Sequence, residues 1–114
     1  HPAGLTGTHL HFLNPPSAER TVWTIGYQDV IAIGHLMLTG RLNSERVVAL
    51  SGPLVRQPRL IRTLMGASMR ELTRGEYDAN EPVRLISGSI LSGLSSTVPE
   101  GDYLGRYCSQ ISVI

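Results

Sequence analysis

Glu45–Leu72 reads ERVVALSGPLVRQPRLIRTLMGASMREL, and the fold turns on how this stretch divides. Arg46–Gly52 carries Val47, Val48 and Leu50, a β-branched run of strand length. Pro53–Pro58 is bounded by prolines and reads as a turn. Arg59–Gly66 alternates, so a strand there places Leu60, Arg62 and Leu64 on one face and Ile61, Thr63 and Met65 on the other. Ala67–Leu72 then opens a helix with a capping box: Ser68 can bond the N3 amide while Glu71 reaches back to the Ser68 amide. Gly75 is expected to close that helix after about two turns. Farther on, VRLISGSI (Val83–Ile90) and YCSQISVI (Tyr107–Ile114) supply two more strands, joined by a Gly/Ser-rich connection over Ser92–Gly101. The order strand, strand, helix, strand, strand predicts an α+β fold: a small mixed sheet crossed by one helix, a β-grasp-like layout.

The texture changes at Glu45, and the residues before it read differently. HLHFL (His9–Leu13) alternates and predicts a short strand, stopped by Asn14–Pro16 because proline cannot donate to a ladder. TVWTIG (Thr21–Gly26) predicts a second. Tyr27–Thr39 reads as a helix with Asp29 in its first turn and Gly40 as its C-terminal stop. Val30, Ile31, Ile33, Met37 and Leu38 occupy nearly every side of it, so it is expected to lie buried between layers. Gly34, costly inside a helix, suggests close approach by another backbone. The first 44 residues therefore predict a β-β-α segment.

Bulk composition narrows the function classes. The 114 residues are 41% hydrophobic and 17% charged, an ordinary globular balance large enough for one modest core. Ten basic residues against nine acidic ones, all scattered, leave a net charge of +1 and no electrostatic footprint for nucleic acid or an anionic membrane. All ten basic residues are arginine. Without lysine the chain can form neither a Walker-type phosphate loop nor a Schiff base. One cysteine, Cys108, can form no internal disulfide and cannot hold an iron–sulfur cluster alone. The longest apolar run, VIAIGHLML, is about half of a membrane span. Starting at HPAG, with no initiator methionine or targeting leader, the sequence reads as a piece of a longer protein.

Each candidate constellation has a plainer reading. His9 and His11, on a strand, would share a face as two metal ligands, but a structural zinc site takes four and a catalytic one three. Their partners would be His1, His35, Cys108 or distant carboxylates, with no motif spacing among them, so no metal site is assigned. Gly4 and Gly7 precede the expected strand, where a dinucleotide loop would follow one. SGSILSG (Ser87–Gly93) resembles a nucleophile elbow only superficially, because Leu91 stands where the second glycine belongs after Ser89. Cys108 has no histidine near it in sequence and reads as an inert thiol. Asp29, Glu71, Glu76, Asp78 and Glu81 are accounted for by helix ends and a solvated loop. No catalytic residue is assigned, and no cofactor-binding residue can be named.

The order of residues nevertheless closely resembles a known family. The stretches PAGLTGTHLHFL, VWTIGYQDVIAIG and RVVALSGPLV, with ELTRGE, RLISGSILSG and YLGRYCSQISVI, are similar to an internal part of the A-subunit of the bacterial sodium-translocating NADH:quinone oxidoreductase. A looser similarity reaches the C-subunit of the Rnf complex and the NADH-binding flavoprotein of respiratory complex I, where a flavin-domain segment precedes a soluble-ligand-binding β-grasp domain. Gly66, Ser68, Glu71 and Leu72 fit the start of that domain's helix. Ser87–Gly88 departs from it, standing where relatives often carry two glycines.

The resemblance implies that residues 1–44 are the tail of a flavin-domain-like α/β segment and 45–114 a β-grasp-like module. It implies a peripheral protein on the cytoplasmic face of the inner membrane, without a membrane span, in a complex passing electrons from NADH to quinone while expelling sodium. Flavins and the iron–sulfur centre would sit on other subunits, the expected partners, with ubiquinone as electron acceptor and no cofactor held in this piece. The leading expectation is a non-catalytic structural and docking module. Direct quinone binding, with Trp23, Tyr27 and Met37 as first contacts, and a stand-alone small-molecule-binding β-grasp domain are the alternatives. An apolar helix left uncovered would also favour a homodimer of the isolated piece.

Overall fold

A computed structural model describes residues 3–96 and 102–114. The chain divides into two compact units, 1–42 and 43–114.

The second unit is built on a mixed five-stranded sheet. Strands β1 (Glu45–Ser51), β2 (Arg59–Leu64), β3 (Leu85–Ser87), β4 (Leu94–Ser95) and β5 (Gln110–Val113) lie in the order β2-β1-β5-β3-β4. Only β1 and β5 run parallel, with Leu50 opposite Ile111; the other pairs are antiparallel. The alternation read from the sequence sets the register. Arg46, Val48 and Leu50 point inward along β1, and in β2 the buried face is that of Ile61 and Thr63, leaving Leu60, Arg62 and Leu64 outside. The expected connection between β3 and β5 also contributes β4, which the sequence does not announce. A two-residue strand carries no periodicity to read, and residues 97–101 of that connection lie outside the described residues.

Helix α3 (Met69–Leu72) crosses the inner face. Ser68 is its N-cap, and its hydroxyl accepts the Glu71 N–H at 3.4 Å, as the capping box predicts. The helix is one turn long rather than two. Thr73 is already its C-cap, and the Thr73 hydroxyl, fully buried, donates to the Met69 carbonyl at 2.8 Å. A core of Val48, Leu50, Val55, Met69, Leu85, Leu104, Ile111 and Val113 fills the space between helix and sheet. Each such side chain removed from water stabilises the unit by about 1.5–3 kcal/mol. Gly52, just after β1, has φ of 127°, and a Cβ there would fall 2.0 Å from the Val113 carbonyl oxygen, so β1 can run into its turn beside β5 only without a side chain.

The first unit contains helices α1 (Thr6–Leu13) and α2 (Tyr27–Thr39) and no strand among its described residues. The expected β-β-α segment is therefore corrected. His9–Leu13 belongs to a helix, and Thr21–Gly26 forms no ladder. The reason is pairing. An isolated strand leaves its N–H and C=O groups without partners, whereas a helix satisfies them internally, and five alternating residues are too few to distinguish the two periods. Asn14 caps α1 by donating its N–H to the Leu10 carbonyl just before Pro15, where the helix must stop. Helix α2 has the bounds its sequence predicts, and Gly40 closes it with φ of 68°. Its expected burial is not observed. Only Ala32 is buried, because the described residues of this unit contain no sheet to lay over it, and a Cβ on Gly34 would meet nothing within 4 Å.

Candidate functional site

The chemistry-bearing residues do not converge on one centre. His9 and His11, placed on a helix, point some 200° apart instead of sharing a strand face. His9 donates from Nε2 to the Ala3 carbonyl at 2.8 Å, and His11 meets Phe12 edge to face at 5.0 Å. His35 donates from Nδ1 to the Arg41 carbonyl at 2.9 Å, fastening the end of α2. His1 lies outside the described residues. Among the described residues no three His, Cys, Asp or Glu side chains gather as metal ligands would.

What does converge is SGSILSG with the segment before β5. The Ser87 hydroxyl accepts the Gly105 N–H at 2.8 Å, and Gly88 donates its N–H to the Gln110 carbonyl at 2.8 Å. Ser112, buried, donates from its hydroxyl to the Gly88 carbonyl at 2.9 Å and accepts from the Gln110 amide at 2.8 Å. At Gly93 the backbones are close enough to require a glycine, while Gly105 lies against side chains. A Cβ on Gly93 would stand 2.6 Å from the Ser89 carbonyl oxygen, and one on Gly105 3.0 Å from Cys108 Sγ. Cys108 is thus wedged against glycines. Ser89 faces Ser92, hydroxyl to hydroxyl at 3.1 Å, and accepts the Leu91 N–H. Among the described residues neither serine is bonded to a general base, and the knot pins the β3–β4 turn to the approach of β5. The Ser87–Gly105 contact is not legible in the sequence, since 18 residues separate partners that only the sheet order brings together.

Ion pairs tie the periphery. Arg59 grips Glu76 through both guanidinium nitrogens at 2.7 and 2.8 Å, which holds the Glu76 carboxyl below its usual range and raises the arginine. Arg70 donates to Asp102 at 2.8 Å beside the bridge from Ser68 to Tyr103, anchoring the segment before β5 to the start of α3. The outer side of the second unit is apolar in several places. Leu60 and Leu64 on edge strand β2, Ile90 and Leu91 in the β3–β4 turn, and Tyr103 and Tyr107 are all exposed. Trp23, Tyr27 and Met37, the sequence's first candidates for quinone contact, are exposed in the first unit, the last two on α2.

Comparison with known proteins accounts for both units. The family model described as the NqrA second alpha/beta domain matches residues 1–42, and that described as the NQRA C-terminal domain matches 47–97. The A-subunit of the Na(+)-translocating NADH-quinone reductase of Neisseria gonorrhoeae is 61% identical over all of this chain. The chain belongs to this A-subunit family. The same subunit of Shewanella frigidimarina is 59% identical and that of Vibrio parahaemolyticus 57%, again over the whole chain. In each case the chain spans about a quarter of the relative's length, 25%. The fold of the family's C-terminal domain here is a mixed α+β arrangement on a five-stranded sheet, and no helix among the described residues is long and apolar enough to cross a membrane.

Proposed function

We propose that this chain acts as a non-catalytic structural and docking part of a sodium-pumping NADH:quinone oxidoreductase. In this reading residues 45–114 are a β-grasp-like module and 1–44 the end of a flavin-domain-like α/β domain. The parent subunit lies peripherally on the cytoplasmic face of the inner membrane, and partner subunits carry the flavins, the iron–sulfur centre and the NADH and ubiquinone chemistry. Its task is mechanical: to hold a rigid sheet against those partners so that their redox groups keep fixed separations.

The observation that carries the reading is the outer face of the sheet. Leu60 and Leu64 stand exposed on edge strand β2, flanking Arg62, whose guanidinium reaches Glu45 at 3.0 Å. The two leucines give a partner apolar surface to cover at the margin of the sheet, and the Arg62–Glu45 pair between them supplies a polar contact. The test uses the intact subunit carrying Leu60→Asp and Leu64→Asp, both outside the core. The expected result is an unchanged melting temperature with loss of co-purification with the other subunits and of NADH-driven quinone reduction. A double variant that assembles and turns over like the parent refutes the docking role.

A further inference from the structure

The sheet of the second unit ends in two unlike edges. At one, β4 has only two residues. At the other, β2 runs for six, and among the described residues no strand pairs with its far side. The phase of the ladder says which main-chain groups that side presents. In an antiparallel pair, residues bonded to the partner strand alternate with residues whose N–H and C=O point away from it. Met65 donates its N–H to the Ser44 carbonyl at 3.0 Å, so the residues bonded to β1 are Thr63, opposite Arg46, and Ile61, opposite Val48. Ala49, outside that series, turns its N–H the other way, to the Ser109 carbonyl at 2.9 Å beside β5, which fixes the same phase independently.

Leu60, Arg62 and Leu64 therefore direct main-chain groups at the open margin. The Leu64 carbonyl already accepts the Ala67 N–H at 3.2 Å, and Pro58 has no N–H with which to extend the row. That leaves the N–H and C=O of Leu60 and Arg62 and the N–H of Leu64. The same three residues carry the exposed side chains.

Charge chooses the occupant. A second copy, added antiparallel about an axis through Arg62 so that all these groups are used, would set Arg62 opposite its own mate, and like charges directly opposite destabilise a ladder. A strand with a carboxylate beside Arg62 and apolar side chains beside Leu60 and Leu64 meets each position with its complement. It would also leave Arg62 held between that carboxylate and Glu45, which lies 3.0 Å away on β1.

We infer that β2 receives an added strand: an extended segment of a partner subunit, apolar, acidic and apolar at alternate residues, hydrogen-bonded to the main chain of Leu60, Arg62 and Leu64. The inference rests on the docking role proposed for β2 and specifies how the contact is made.

Hydrogen–deuterium exchange resolved to single amides tests it, comparing the intact subunit alone with the assembled complex. The Ile61 and Thr63 amides, turned toward β1, are the internal reference and exchange slowly in both. Those of Leu60, Arg62 and Leu64 are expected to exchange at least about tenfold more slowly in the complex than in the subunit alone. Arg62→Glu is expected to weaken assembly about tenfold or more at an unchanged melting temperature. If the three outward amides keep their free-subunit rates on assembly, the inference is overturned. The docking reading survives that result whenever the Leu60→Asp, Leu64→Asp variant still fails to assemble, contact then being made by side chains alone. An Arg62→Glu subunit that assembles as tightly as the parent also overturns the added acidic strand, and so does protection that grows with the concentration of the isolated subunit, the mark of a second copy.

Discussion

Replacing Gly52 by alanine should nearly abolish the stability of the second unit, and the size of the effect can be worked from the backbone. With φ of 127°, Gly52 occupies a region that residues with a Cβ avoid, at a cost of about 1–3 kcal/mol. The added methyl would also stand 2.0 Å from the Val113 carbonyl oxygen and 2.7 Å from its nitrogen, both backbone atoms of β5 that no rotamer change can move. Relieving the contact means parting β1 from β5 by roughly 1 Å, and overpacking of this kind costs about 1–3 kcal/mol more. The sum, around 4 kcal/mol, is most of what a domain this small has to lose. Urea denaturation of the purified chain followed by far-ultraviolet circular dichroism measures it, and at a slope near ~1 kcal/mol/M the midpoint should fall by about 3–4 M. Gly66→Ala is the control: its φ is also positive, at 71°, but its surroundings are open, so only about 1–2 kcal/mol is expected. A Gly52→Ala variant no less stable than Gly66→Ala would refute the close β1–β5 approach.

Other outcomes follow from the same geometry. Ile111, fully buried and opposite Leu50 and Ser87, should cost about 2–5 kcal/mol on truncation to alanine, read from the same urea curves. Glu76 is held below its ordinary carboxyl value of 4.5 by hydrogen bonds from Arg59, so its contribution is present above that value and is lost as pH falls through the lower folded-state value. Glu76→Gln should therefore flatten the decline of stability in acid, and an unchanged profile would show that the pair contributes nothing. Trp23, 89% exposed, should fluoresce like indole in water and respond to a short-chain quinone analogue only by linear collisional quenching; saturation would instead favour direct quinone binding.

The alternation in β1 and β2, the Ser68 cap and the bounds of α2 are readable because each is a local rule: period two, a hydroxyl three residues before an amide, a glycine able to turn left-handed. Family membership is readable for a different reason, since long uncommon strings such as VWTIGYQDVIAIG are retained along with their order. The two expected N-terminal strands fail because strand character belongs to a pair, and no partner for His9–Leu13 or Thr21–Gly26 occurs among the described residues. The expected burial of α2 fails likewise: an apolar stripe specifies that something covers it, while what covers it depends on atoms elsewhere. Only the tertiary structure brings Ser87 to Gly105, Arg59 to Glu76 and Gly52 to Val113, across 18, 17 and 61 residues, because the strand order that closes those distances is decided by how a shared core packs and not by any one segment.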